Sequence, residues 1–141
     1  MNWLKKQNVM IPLDFSEAAD AALMVAREFV EDVTQLHLFY VLPILHPTDP
    51  AVIWHTATDE SREQRVEAAL QQKLKELGYE GADIHVVIGN PETEIIQYAK
   101  SKSVDLIVMP THDERGVSPF LFGSVTEYVV RHAPCPVLVV R

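Results

Sequence analysis

Three short stretches hold most of the residues that could do chemistry. Pro12-Leu13-Asp14-Phe15-Ser16 ends an apolar run with a carboxylate and a hydroxyl. Pro110-Thr111-His112-Asp113-Glu114-Arg115-Gly116 brings together an imidazole, two carboxylates and a guanidinium. Gly123-Ser124-Val125-Thr126-Glu127 has the S-x-x-E spacing of a helix capping box. Groups of this kind are what a polar ligand site needs. A carboxylate accepts hydrogen bonds from hydroxyls or amines, a guanidinium pairs with phosphate oxygens, and the free N–H groups at a helix start attract anions. Each also has a plainer role: Asp14 and Ser124 as helix caps, Arg115 as a partner of Asp113 and Glu114. No catalytic set assembles. His112, Asp113 and Glu114 are consecutive, so their side chains need not converge, and there is no Ser-His-Asp set or carboxylate pair.

The chain has six histidines and one cysteine. No histidine stands in an His-x3-His or Glu-x2-His helical arrangement, so no metal site is expected. His37 and His85 fall within strands and read as satisfied buried imidazoles or edge positions. His112 alone is expected beside a ligand crevice. Cys135 sits between Pro134 and Pro136 and reads as inert packing; a reactive thiol would need a cation such as Arg131 or His132 to lower its pKa.

The elements that must position these groups are read from apolar runs. Val9–Leu13, Leu36–Leu42, Ile84–Ile88, Leu106–Met109 and Val137–Val140 are mostly continuous and rich in β-branched residues, as strands covered on both faces should be. Helical stripes alternate with them. Ala19, Ala22, Leu23, Ala26 and Val30 follow a Ser16 cap; Val66, Leu70, Leu74 and Leu77 end at Gly78; Asn90-Pro91 opens a third helix over Ile95, Ile96 and Ala99. A fourth is expected to start near Ser124, with Val125, Val129 and Val130 as its apolar residues. The β-α alternation predicts one α/β domain over 1–141: a five-stranded parallel sheet, doubly wound in the Rossmann-like order 3-2-1-4-5, within an α/β/α sandwich of three layers. Ligands in such sheets bind beyond the carboxyl ends of the strands where their order reverses. That singles out Pro12, Leu13 and Asp14 after the first strand, and Met109, Thr111, His112, Arg115 and Gly116 after the fourth. Gly123, Ser124 and Val125 are expected to point a helix start at the same place. Pro43–Asp59 is left as one long irregular stretch.

At 141 residues and a formal net charge of -8, the chain can bury a core and has no general attraction for nucleic acid or anionic membrane. No secretory signal or membrane span is visible, and the lone cysteine excludes an intramolecular disulfide. A cytoplasmic protein is expected.

Several fragments, in this order and spacing, resemble the universal stress protein family. They are Val9-Met10-Ile11-Pro12-Leu13-Asp14-Phe15-Ser16-Glu17, Gly89-Asn90-Pro91, Gly123-Ser124-Val125-Thr126-Glu127, and Arg131-His132-Ala133-Pro134-Cys135-Pro136 followed by Val137-Leu138-Val139-Val140. The resemblance implies a stress-response role and a homodimer formed through the last strand. An apolar terminal strand left as a bare sheet edge would also invite pairing on its own account. One class of the family binds ATP through G-x2-G-x9-G-[ST]. Laid on this chain, the pattern falls on Pro110, Asp113 and Gly123, followed by Ser124. Pro110 has no N–H to offer. Asp113 sets a carboxylate where phosphate would lie, and two unit charges about 4 Å apart repel by roughly 1 kcal/mol in water and roughly 4 kcal/mol at a protein surface. A bound Mg²⁺ would reverse that effect. By the same resemblance, Asp14 matches a nucleotide-contacting aspartate and Val41 a residue lining the adenine pocket.

Two functions compete. One is a non-catalytic, dimeric stress-response binding module with a degenerate nucleotide site, requiring no cofactor and holding a protein partner that the sequence does not name. The other is a sensor of ATP or AMP, with Mg²⁺ if ATP, and slow or no hydrolysis. A nucleotidyl transferase is disfavoured, because the first loop has no basic residue.

Overall fold

A computed structural model describes residues 4–14, 17–46, 48, 58–111 and 119–141, the last segment with side chains from Gly123 onward. Five strands, β1 (Val9–Pro12), β2 (Leu36–Leu42), β3 (Asp83–Ile88), β4 (Leu106–Pro110) and β5 (Val137–Val140), form one sheet in the order β3-β2-β1-β4-β5. All four pairings are parallel. The helices are α1 (Glu17–Arg27), α2 (Asp59–Leu77), α3 (Pro91–Ser101) and α4 (Pro119–His132). A 3-10 turn at Val33–Gln35, unforeseen from the apolar pattern, leads into β2.

Side chains alternate across the sheet, so each apolar run feeds two cores. Val9, Ile11, Leu36, Leu38, Leu106 and Val108 pack on one side with α1 and with Leu70 and Leu74 of α2. Met10, Phe39, Ile107 and Met109 pack on the other with Ile95, Ile96 and Ala99 of α3 and Val125 and Val129 of α4. Lys73 Nζ lies 2.8 Å from Asp20 Oδ1, tying α2 to α1. Asp105 accepts from the backbone N–H groups of Gln7 and Asn8 at 2.9 and 3.0 Å, aligning the starts of β1 and β4.

Local signals set most boundaries. Thr58 and Ser61 exchange side-chain hydrogen bonds with each other's backbone N–H groups at the start of α2. Gly78 ends that helix in the left-handed conformation, at φ 74°. Asn90 caps α3, its Oδ1 accepting from the Thr93 N–H at 3.1 Å, with Pro91 at the first helical position. Two expectations need correction. Val30 is buried but lies beyond α1, which ends at Arg27. Helix α4 begins at Pro119, not near Ser124, so the S-x-x-E motif falls in its second turn and caps nothing. Proline fits a first helical position, where its missing N–H costs no hydrogen bond, and this start outweighs the local cap signal. Among the described residues no helix is long and apolar enough to cross a membrane.

Candidate ligand cleft at the strand ends

Strand β1 lies between β2 and β4, and the connections run in opposite directions from it. Beyond the carboxyl ends of these strands is a cavity of about 490 Å³, within the roughly 300–1,000 Å³ typical of small-molecule sites. Phe39 and Val41 of β2, Met109 of β4, Ile95 of α3 and Val125 of α4 supply apolar walls. Pro12, Leu13 and Asp14 continue β1 along its edge, and the Leu13 N–H donates to the Phe39 carbonyl at 2.8 Å. Gly89, Asn90 and Pro91 bring in the start of α3, while Pro43 and Ile44 border the cavity where the chain leaves β2. Ile44 is 74% exposed, an apolar side chain held at the rim. The Pro43 carbonyl accepts from Arg62 Nη2 at 2.7 Å, which fastens this rim to the first turn of α2.

Polar groups are sparse. Asp14 is half-buried, and Asp14 and Tyr40 are the ionisable residues among those described lining the cavity. Burial, and then the negative charge of Asp14, pushes the Tyr40 hydroxyl pKa up, so it stays a protonated donor at neutral pH. The Asn90 carbonyl oxygen serves the cap, accepting from both the N–H and the hydroxyl of Thr93. Such a site can hold a flat apolar group against aliphatic and aromatic walls while one carboxylate accepts hydrogen bonds at the edge.

Of the residues expected here, Pro12, Leu13, Asp14, Val41, Met109 and Val125 line the one cavity. Thr111 is not among its lining residues; its N–H prolongs the β4–β5 ladder, donating to the Val140 carbonyl at 2.8 Å. Gly123 and Ser124 are exposed and also outside the lining. Because α4 starts at Pro119, helix geometry commits their N–H groups to carbonyls one turn back, and they offer no free amides to an anion. His112, Arg115 and Gly116 lie outside the described residues, as does Asp113. Sequence reasoning missed Phe39, Tyr40, Pro43, Ile44, Gly89, Asn90, Pro91 and Ile95. Phe39 was within reach, since it lies two residues before Val41 and therefore on the same sheet face. Cys135 is half-buried; burial, then the charge of Asp105, pushes its thiol up to about 11, leaving it un-ionised and inert at neutral pH.

The universal stress protein family profile matches residues 6–141. A universal stress protein of Methanocaldococcus jannaschii is 36% identical over 143 residues, spanning 96% of this chain and 82% of that protein. The structure of UspA from Lactobacillus plantarum is similar at a TM-score of 0.73 and 28% identity, covering 97% of this chain and 99% of that one. A family member from Arabidopsis thaliana, solved with AMP bound, shares the fold at a TM-score of 0.60 and 19% identity, covering 94% of this chain and 90% of its own. Fold and sequence together establish that the chain belongs to the universal stress protein family.

Proposed function

We propose that the protein is a cytoplasmic, homodimeric, non-catalytic stress-response binding module whose cleft takes the adenosine end of a short adenine nucleotide, AMP in preference to ATP. The observation that carries this reading is an apolar cavity at the reversal of strand order with Asp14 at its edge. An adenine ring fits between Val41, Phe39, Met109 and Val125, and a ribose hydroxyl donates to the Asp14 carboxylate. The Arabidopsis relative, solved with AMP, supports the ligand class.

The phosphate side is poorly equipped for a triphosphate. Pro110 ends β4 without an N–H, and the amides of Gly123 and Ser124 are used within α4; in the family's ATP pattern the second glycine is replaced by Asp113. Occupancy, not turnover, is then the signal, because the described lining holds no cationic side chain to stabilise a transferring phosphoryl group. Calorimetric titration separates the readings. AMP is expected to bind in the micromolar range, ATP with Mg²⁺ at least about tenfold more weakly, a difference of about 1.4 kcal/mol, and neither is consumed. Tighter binding of ATP with Mg²⁺ would favour the triphosphate sensor; no binding of any adenine nucleotide at millimolar concentration would reject both.

Dimerisation is supported by β5, which among the described residues is an edge strand beside β4, with Val139 41% exposed. Pairing with a two-fold mate satisfies its outer N–H and C=O groups. Val139→Lys is expected to turn the dimer into a monomer by light scattering while leaving the core intact. A variant that remains dimeric would reject this interface.

A further inference from the structure

A second group of polar side chains lies on the same sheet face as the cavity but at the opposite, amino-terminal end of the strands. Parallel pairing sets His37 of β2 beside Asp83 of β3, and Phe39 beside His85. Alternation sends His37, Asp83 and His85 to the face covered by α3, where Tyr98 stands in its last turns. Asp83 Oδ2 lies 3.2 Å from His85 Nε2 and 3.6 Å from His37 Nδ1. All three donors fall within 4.8 Å of one another. A tetrahedral ion with bonds of about 2.0–2.2 Å separates its donors by about 3.3–3.6 Å. Two of the separations already match that spacing, and His85, whose side chain is 31% exposed, has room to close the third.

The surroundings orient these donors as ligands. His37 Nε2 lies 3.2 Å from Asn8 Oδ1; donating its N–H there leaves the Nδ1 lone pair facing Asp83. Asn8 is held in turn by its backbone N–H, which donates to the Asp105 carboxylate. The Tyr98 hydroxyl lies 3.0 Å from His37 Nδ1, and burial, then the charge of Asp83, keeps it protonated. It can donate to Nδ1 in the metal-free protein, and an ion taking that lone pair requires the hydroxyl to turn aside. Asp83, at 57% side-chain exposure, gives access from solvent.

We propose that His37 Nδ1, Asp83 and His85 Nε2 form a site for a divalent late first-row cation of the Zn²⁺ or Co²⁺ type, with the remaining position left to water. Two imidazoles and one carboxylate suit such ions, whereas Mg²⁺ and Ca²⁺ favour all-oxygen sets. The ion would staple edge strand β3, paired only with β2, to the body of the sheet.

The test uses the full, tag-free chain after chelator treatment. Titration with Co²⁺, followed by visible absorption, should give one saturable equivalent per chain, and Zn²⁺ should displace it. His85→Gln and Asp83→Asn should each weaken binding at least about tenfold while leaving the far-ultraviolet circular dichroism unchanged. His132→Gln, at a histidine outside the cluster, should leave it unaltered. Zn²⁺ should raise the melting temperature of the wild type but not of His85→Gln, and Mg²⁺ should do neither. Absence of a saturable equivalent, or equal affinity in wild type and His85→Gln, would show that Asp83 merely pairs with two imidazoles and would overturn the site. Loss of binding in His132→Gln would place the ion elsewhere and overturn it equally.

Discussion

The sheet face beneath α3 and α4 has two unlike ends. At the carboxyl ends of the strands, Val41, Phe39, Met109, Ile95 and Val125 wall an apolar cavity with the Asp14 carboxylate at its edge. At the amino ends, His37, Asp83, His85 and Tyr98 meet, with ring centroids 4.8–6.2 Å apart and the donors hydrogen-bonded or paired. The cause is the same two-residue repeat read at different depths. His37, Phe39 and Val41 point to one side of β2, and residue type alone changes along the line. Strand ends that diverge into loops leave a hollow, whereas the last turns of α3 close the other end with Tyr98. Phe39 joins the two: it lines the cavity and lies 4.7 Å from the Tyr98 ring. One end thus offers apolar walls and a carboxylate, and the other gathers two imidazoles, a carboxylate and a phenol.

Changing the shared residue tests the comparison most severely. Phe39 is 2% exposed, so Phe39→Ala should cost about 3–5 kcal/mol in urea unfolding and weaken nucleotide and metal binding together. A smaller loss confined to one end would show that the two regions are packed independently. Asp14→Ala should act at the cavity only. Removing a charged hydrogen-bond acceptor is worth about 1.5–3 kcal/mol, a roughly ten- to hundredfold loss of AMP affinity by calorimetry, with Co²⁺ binding unchanged.

Acid should act at the His37 end, and more gently. The folded pKa of His37 lies below the unfolded value near 6.5, so the unfolded chain takes up a proton more readily. The stabilisation is present above the unfolded pKa and is lost as pH falls from about 6.5 toward the lowered value, at no more than about 1.4 kcal/mol per pH unit. Denaturant midpoints measured in metal-free buffer across that window should fall in the wild type and flatten in His37→Gln. Asp83→Asn removes an attraction that favours the imidazolium and should steepen the fall. A flat wild-type profile would indicate an imidazole as well solvated in the folded state as in the unfolded one.

Much of this architecture was legible in the residues. The five apolar runs, the Gly78 stop and the Asn90-Pro91 start announce themselves locally, because strands buried on both faces and capped helices carry their own composition. The position of Asp14 followed from the logic of reversed strand order. Other features depend on information no short window contains. Ser124 with Glu127 makes a good cap motif, but only the start at Pro119 decides that it lies inside α4. His37 and His85 look isolated until the β2–β3 register brings them beside Asp83. Ile95 was assigned to the buried side of α3, yet that it also faces the cavity requires knowing which end of the helix the hollow adjoins.

Methyl-labelled nuclear magnetic resonance, recorded while AMP is added, tests the central claim most directly. The account predicts saturable shifts at the methyl groups of Val41, Met109, Ile95 and Val125, with those of Leu38, Val86 and Leu138 beneath the opposite face unmoved. Shifts confined to that opposite face, or none at saturating AMP, would contradict it.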